Sequence, residues 1–265
     1  MSLTMMALRI CAVEALKAAG TLVGQNVLDS EIAPIDMTAD GRMSTSQDAP
    51  FIAVYTDGAT SSDLQNTGLR SNGRVDLVFS YGVSRAMQKS NKQTGQAEII
   101  DGIPVTDAHF EAVMDVLGVQ ISRVLVDPDN EWAQVLSELV LEWSSKEQLR
   151  SGSKIDAVRV AAGQLKFSVQ TVADPYLGQV IAPGTPWGRF LALLEQEGLT
   201  QLELFRSALG VPSEGLYPPF EQLLGAPTCD VNSMLLYTFG GAPKTATVTG
   251  GLPVDSDPLK ALSDV

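Results

Sequence analysis

The chain has 265 residues, 45% hydrophobic and 18% charged, with a net charge of −13. That length can bury a full core in one large domain or two small ones, and the acidic balance excludes a surface that grips nucleic-acid phosphates by releasing their counterions. Cys11 and Cys229 are too few and too far apart for a disulfide framework or a metal knuckle, which suits a reducing cytoplasm.

At the N-terminus, the apolar run of MSLTMMALRICAVEALKAAG is broken by Arg9, Glu14 and Lys17 and no basic region precedes it, so it reads as a helix rather than a signal peptide. No stretch reaches the roughly 18 apolar residues of a membrane helix, so a soluble protein is expected. Thr4 is placed to cap this first helix, which runs to about Ala19. Leu8, Ala12, Ala15, Leu16 and Ala19 form its apolar stripe, and Gly20 ends it. Asn26 to Ile32 reads as a short edge strand, and Pro34 to Pro50 as a polar surface loop. Phe51 to Tyr55 is a strand, and the Ser, Thr, Gly, Asn and Asp content of Asp57 to Asn72 reads as a long connection.

Gly73 to Met87 carries the clearest pattern in the chain. Val75, Leu77, Phe79, Tyr81 and Val83 alternate with Asp76, Val78, Ser80, Gly82 and Ser84, the period of a strand with one apolar face. Its length suits the centre of a sheet. After a polar loop at Gln88 to Gly95, Thr106 or Asp107 caps a helix striped by Phe110, Val113, Met114, Leu117, Ile121 and Val124. Asp127-Pro128-Asp129-Asn130 starts another helix, which is expected to bury Trp132, Val135, Leu136, Leu139, Val140 and Trp143 and to close at Ser151 to Lys154. Gln164 to Ala173 is the closing strand, with Leu165, Phe167, Val169 and Thr171 on one side.

Beyond it, Thr185-Pro186 caps a helix with Phe190, Leu191 and Leu194 on its apolar side. A shorter helix runs from Thr200 to Leu209 and ends at Gly210. Phe220 to Leu224 reads as a turn, Met234 to Phe239 as a strand, and the chain from Gly240 as an extended arm. This order defines an α+β protein: a mixed or antiparallel sheet with helices packed on one face, plus a mainly helical C-terminal extension. The expected divisions are a core at 1–175, a helical extension at 176–239 and an extended or disordered arm at 240–265.

The motifs that carry chemistry are incomplete. Val54-Tyr55-Thr56-Asp57-Gly58-Ala59 resembles the first motif of the ribonuclease H family, a strand ending in a magnesium-binding Asp. No helix carrying a Glu in a suitable position follows it; Glu98 falls in an expected loop or strand edge, and Asp107 only loosely imitates the next motif. His109 is the sole histidine and falls in the first turn of a helix, where it reads as a surface or capping residue. Asp127, Asp129 and Glu131 imitate the start of a calcium loop, but Trp132 stands where that loop demands Gly. Ser151-Gly152-Ser153-Lys154 fits S-x-x-K without a K-T-G partner, and lies in an expected loop. Cys11 reads as a small core residue. Catalytic, cofactor-binding and metal-ligating residues are therefore expected to be none, with no cofactor, and the chain leans toward a structural or assembly role.

The order of ALRICAVEALKAAG, NVLDSEI, PFIAVY, a long polar loop, VDLVFSYGV, helical material and QLKFSVQTVADP is similar to the tail terminator proteins of long-tailed bacteriophages, over roughly Met5 to Pro175. The resemblance implies a structural virion protein and not an enzyme. It implies a ring, commonly hexameric, that caps the tail tube and joins it to the head, with the tail tube protein and the head–tail connector or neck protein as partners. DNA would pass through the lumen without specific binding, which the acidic charge suits. The protein would reside in the virion, assembled in the host cytoplasm, with no membrane association. The Asp57 to Asn72 loop is then the first candidate for contact between subunits, and the arm from Gly240 the second. Alternatives are another phage neck or head-completion protein, and a ribonuclease H-like metal-dependent nuclease.

Overall fold

A computed structural model describes residues 2–30, 36–37, 43–44, 47, 49–62, 68–84, 89–90, 97–100, 103–104, 106–155 and 158–210. Helix α1 (Leu3–Ala18) leads into the edge strand β1 (Val27–Asp29). A two-residue ladder, β2 (Asp36–Met37) with β3 (Met43–Ser44), lies within the stretch read as loop. Strands β4 (Phe51–Thr60) and β5 (Arg74–Ser84) follow, then a small sheet of β6 (Lys89–Ser90), β7 (Ala97–Ile100) and β8 (Ile103–Pro104). Helices α2 (Asp107–Val124) and α3 (Glu131–Leu139) precede a long hairpin, β9 (Val140–Ile155) and β10 (Val158–Thr171). Helices α4 (Pro186–Gln196) and α5 (Gln201–Leu209) complete the described fold. The expected turn at Phe220–Leu224, strand at Met234–Phe239 and arm from Gly240 lie outside the described residues.

The main sheet has the order β1-β4-β5-β10-β9, with β1 parallel to β4 and every other pairing antiparallel. The fold is therefore α+β with a mixed sheet, and the strand of strict alternation occupies its centre. Val75, Leu77, Phe79, Tyr81 and Val83 are all fully buried. Opposite them on β10 stand Val169, Phe167, Leu165, Gly163 and Ala161. Helices α1 and α2 cover this face: the α2 stripe from Phe110 to Val124 is buried as its spacing predicts, and so are ten of the sixteen residues of α1. The Tyr81 ring lies over Gly163, where an added Cβ would sit 2.5 Å from the ring, so the absent side chain makes the space the tyrosine fills. Gln148 donates to the Tyr81 hydroxyl at 3.2 Å.

The N-terminus of α1 differs from expectation. Ser2, not Thr4, is the N-cap, its hydroxyl accepting from the Met5 N–H at 3.0 Å. The remaining first-turn donors are met from far along the chain. The Asp174 carboxylate accepts from the N–H groups of Leu3 (3.1 Å) and Thr4 (2.9 Å), from the Thr4 hydroxyl (2.7 Å) and from the Asn72 amide (3.2 Å). A negative group at a helix N-terminus satisfies otherwise orphaned donors and complements the helix dipole. One residue thus ties α1, the turn before β5 and the exit of β10.

Two boundaries read from the sequence are corrected. Strand β4 does not stop at Tyr55 but continues to Thr60, with a register shift between Thr56 and Ala59. Asp57 and Gly58 form this bulge, so the connection to β5 starts after Thr60 rather than at Asp57. The larger correction is β9. Helix α3 ends at Leu139, where Val140 turns extended at ψ 121°, and the chain from Val140 to Ile155 is strand, including Ser151–Lys154. Trp143 is therefore not on the helix with Trp132. The physical reason is tertiary: β10 offers backbone partners from Val158 to Thr171, and Ser144 and Ser145 give a helix little intrinsic support.

Trp132, Trp187, Phe190 and Phe205 join α3, α4 and α5. The centroids of Phe190 lie 6.4 Å from Trp132, 5.8 Å from Trp187 and 4.9 Å from Phe205, all near edge-to-face. These rings belong to the same apolar cluster as the sheet face.

Phe79→Ala is expected to cost about 3–5 kcal/mol in a denaturant melt, because its site is fully buried beside Phe167 and cannot collapse. Asp174→Ala, by orphaning donors of the α1 first turn, is expected to cost about 1–3 kcal/mol and to speed amide exchange at Leu3 and Thr4 selectively.

Candidate assembly surface

The second face of the sheet is mixed: Phe51, Ala53 and Val78 are buried on it, and polar side chains gather toward the Arg74 end of β5. Asp76, near the start of β5, has its carboxylate bonded to the Lys166 ammonium at 2.7 Å and to the Ser168 hydroxyl at 2.6 Å. Burial raises the carboxyl's pKa, but the hydrogen bonds from Lys166 and Ser168, with the charges of Lys166 and Arg74, outweigh it and hold Asp76 below the usual carboxylate range. Lys166 is correspondingly held above the usual lysine range by its bond to Asp76. Beside this pair, an open concavity of about 700 Å³ is lined by Thr60, Ser61, Ser71, Arg74, Glu147 and Gln170, among others. The ends of the β4–β5 connection, the first expected contact region, form one wall of it. Gln164 donates to the Tyr55 hydroxyl at 2.7 Å, and Tyr55 and Ser80 share a hydrogen bond of 3.1 Å.

The outer strand of the sheet is β9, whose only partner among the described strands is β10. From Leu141 to Arg150 nearly every side chain is exposed, and Leu141 and Leu149 are 68% and 62% exposed. A concavity of about 400 Å³ runs beside its start, between the end of α2 (Ser122, Leu125, Val126) and Trp143 to Lys146, with Phe167 as floor. Trp143 packs edge-on against Phe167 at 5.5 Å, the Lys146 ammonium stands 5.6 Å over the same ring, and Val126 is 65% exposed at the rim. Lys146 also donates to the Ser122 hydroxyl at 2.8 Å, and Arg150 pairs with Glu111 and Asp115. An exposed, long edge strand with apolar side chains is a template for pairing with another chain. The sequence missed this surface because Val140 to Trp143 continues the apolar spacing of α3. The serine pair after it was the one signal against a helix.

The residues singled out by motif are dispersed. Asp57 is exposed in the β4 bulge, Glu98 lies on β7, and Asp107 is the first residue of α2. His109 is in the first turn of α2, where its N–H donates to the hydroxyl of the N-cap Thr106 and its ring Nδ1 lies 2.6 Å from that oxygen; the cap is Thr106, not His109. Asp127 accepts from the Asp129 N–H at 3.0 Å, and Asn130 caps α3, so this stretch is a helix entry. Cys11 is fully buried, and burial pushes its thiol well above the usual range. Among the described residues no group of three or more His, Cys, Asp and Glu side chains is placed to hold a metal ion, and no helix is long and apolar enough to cross a membrane. Comparison with protein-family models and with curated proteins finds no match to this chain.

The Asp76 pair fixes a pH prediction. A carboxyl whose folded pKa is depressed stabilises the fold above its unfolded pKa and loses that contribution as pH falls through the folded value. Wild type should therefore lose stability on acidification below the usual carboxylate range. Asp76→Asn should show a shallower acid limb in melts recorded across that range, and a lower plateau near neutrality.

Proposed function

We propose that this chain is a structural assembly protein that forms rings with copies of itself, and within that class a tail terminator of a long-tailed phage. In this reading it caps the tail tube and joins it to the head or neck. The observation that carries the reading is the β9 edge, unpaired among the described strands, with exposed Leu141, Trp143 and Leu149. Among the described strands β9 is unpaired along one side over its sixteen residues, which gives an assembling subunit a ready set of backbone donors and acceptors. The element order of the resembled family supports the reading at α1, β1, β4, β5, α2 and β10, to which β9 and the small sheet β6–β8 are additions. The net charge of −13 suits a lumen through which DNA slides without adhering.

Purified protein should form rings in negative-stain micrographs and an oligomeric mass in light scattering. The double variant Leu141→Lys with Leu149→Lys places charge on the open edge, as natural sheets do to block pairing. It should keep the wild-type circular dichroism and melt as a monomer, with oligomer and tail capping lost. Labelled protein should sit at the head-proximal end of the tail. Oligomers persisting unchanged in the variant would remove β9 from the interface.

A further inference from the structure

Among the described strands β1, three residues long, also has a neighbour on one side only, and its rows line up with those of β9. Rows of paired residues can be followed straight across the five strands. Leu28 is level with Ala53, Ala53 with Ser80, Ser80 with Gln164, and Gln164 with Leu149. The next row runs Asp29, Val54, Phe79, Leu165, Gln148, and the one before it Val27, Ile52, Tyr81, Gly163, Arg150. Leu28 and Leu149 thus share the second face at the same level, at opposite edges. Asp29 and Gln148 share the helix-covered face, with Lys146 and Arg150 one step to either side of Gln148. Strand direction fits as well. β1 runs with β4 and β10, and β9 runs against them, so the β1 edge of one copy meets the β9 edge of another in antiparallel sense.

We infer that the subunits join head to tail by β1 of one copy pairing with β9 of the next, with Leu28 opposite Leu149. This rests on the assembly reading and names the partner of the β9 edge. In that register two partly or largely exposed leucines cover each other on one face. On the other face Asp29 stands opposite Gln148 and diagonal to Lys146 and Arg150, within reach of their long side chains. The charges are complementary: Arg9 alone among the described residues is paired with Asp29, and the carboxylate has room for a further donor. A contact between two different patches is heterologous, and it closes into a ring only where successive copies do not climb. Because the joined rows are level, this pairing adds no offset along the strands. A β9–β9 contact, by contrast, is isologous and stops at a dimer.

The test is disulfide trapping in the full chain with Cys229→Ser, the buried Cys11 being left in place. Leu28→Cys with Leu149→Cys, oxidised under mild conditions, should give a reducible ladder of covalent multimers. Each single variant should give none. Cross-strand neighbours have the Cβ separation a disulfide needs. Covalent dimers from Leu149→Cys alone would show β9 meeting β9 and overturn the inference. Oligomers in light scattering without the ladder would overturn the β1–β9 pairing while leaving the ring reading intact. A monomer at every concentration tested would sink both.

Discussion

Phe79 and Leu165 face each other across β5 and β10, in a pairing that runs from Ser84 opposite Val160 to Arg74 opposite Gln170. Everything else in the described fold is placed relative to that pairing. It sets which face of β10 is apolar, and so where α1 and α2 pack. It sets Gly163 under the Tyr81 ring, which fixes the register against slippage, because a shift by one residue would turn every buried side chain of β5 toward solvent. It also holds β10 in position to template β9, whose own side chains bury too little to hold it in place alone.

The Asp174 clamp converts this sheet into a closed unit. Its acceptors lie just past the end of β10, and its donors belong to the first turn of α1 and to Asn72. Arg70 adds a bond to the Asp174 carbonyl at 2.8 Å, and the Asp174 N–H donates to the Arg70 carbonyl at 3.1 Å. The start of the chain, the entry to the central strand and the exit from the closing strand therefore share one set of hydrogen bonds. Loss of any one partner leaves polar groups without an equivalent substitute, which is costlier than the bond itself is favourable.

The β9 edge, unpaired among the described strands, is managed rather than left bare. Glu142, Lys146, Glu147 and Arg150 punctuate β9, and such charges discourage indiscriminate strand pairing. They leave Leu141, Trp143 and Leu149 between them as apolar positions a specific partner can cover. A surface of this kind favours one register over others, because a wrong register sets like charges opposite one another. The Asp76–Lys166 pair lies on the sheet face away from the apolar stripes of α1 and α2.

The sequence by itself determined the local elements whose side-chain period carries the answer. The alternation from Val75 to Val83 specified the central strand and its buried face. The stripe from Phe110 to Val124 specified α2, and Asn130 and Thr185-Pro186 marked the starts of α3 and α4. Only the tertiary structure decided that Val140 to Ile155 is strand, that β1 runs parallel to β4, and that Asp174 caps a helix 170 residues upstream. In each of these the deciding partner is remote in sequence. The apolar spacing of Val140 to Trp143 fits a helix as well as a strand, and the backbone of β10, which settles it, leaves no trace in the side chains of β9. An open edge has no local signature for the same reason: it is defined by which neighbour a strand lacks.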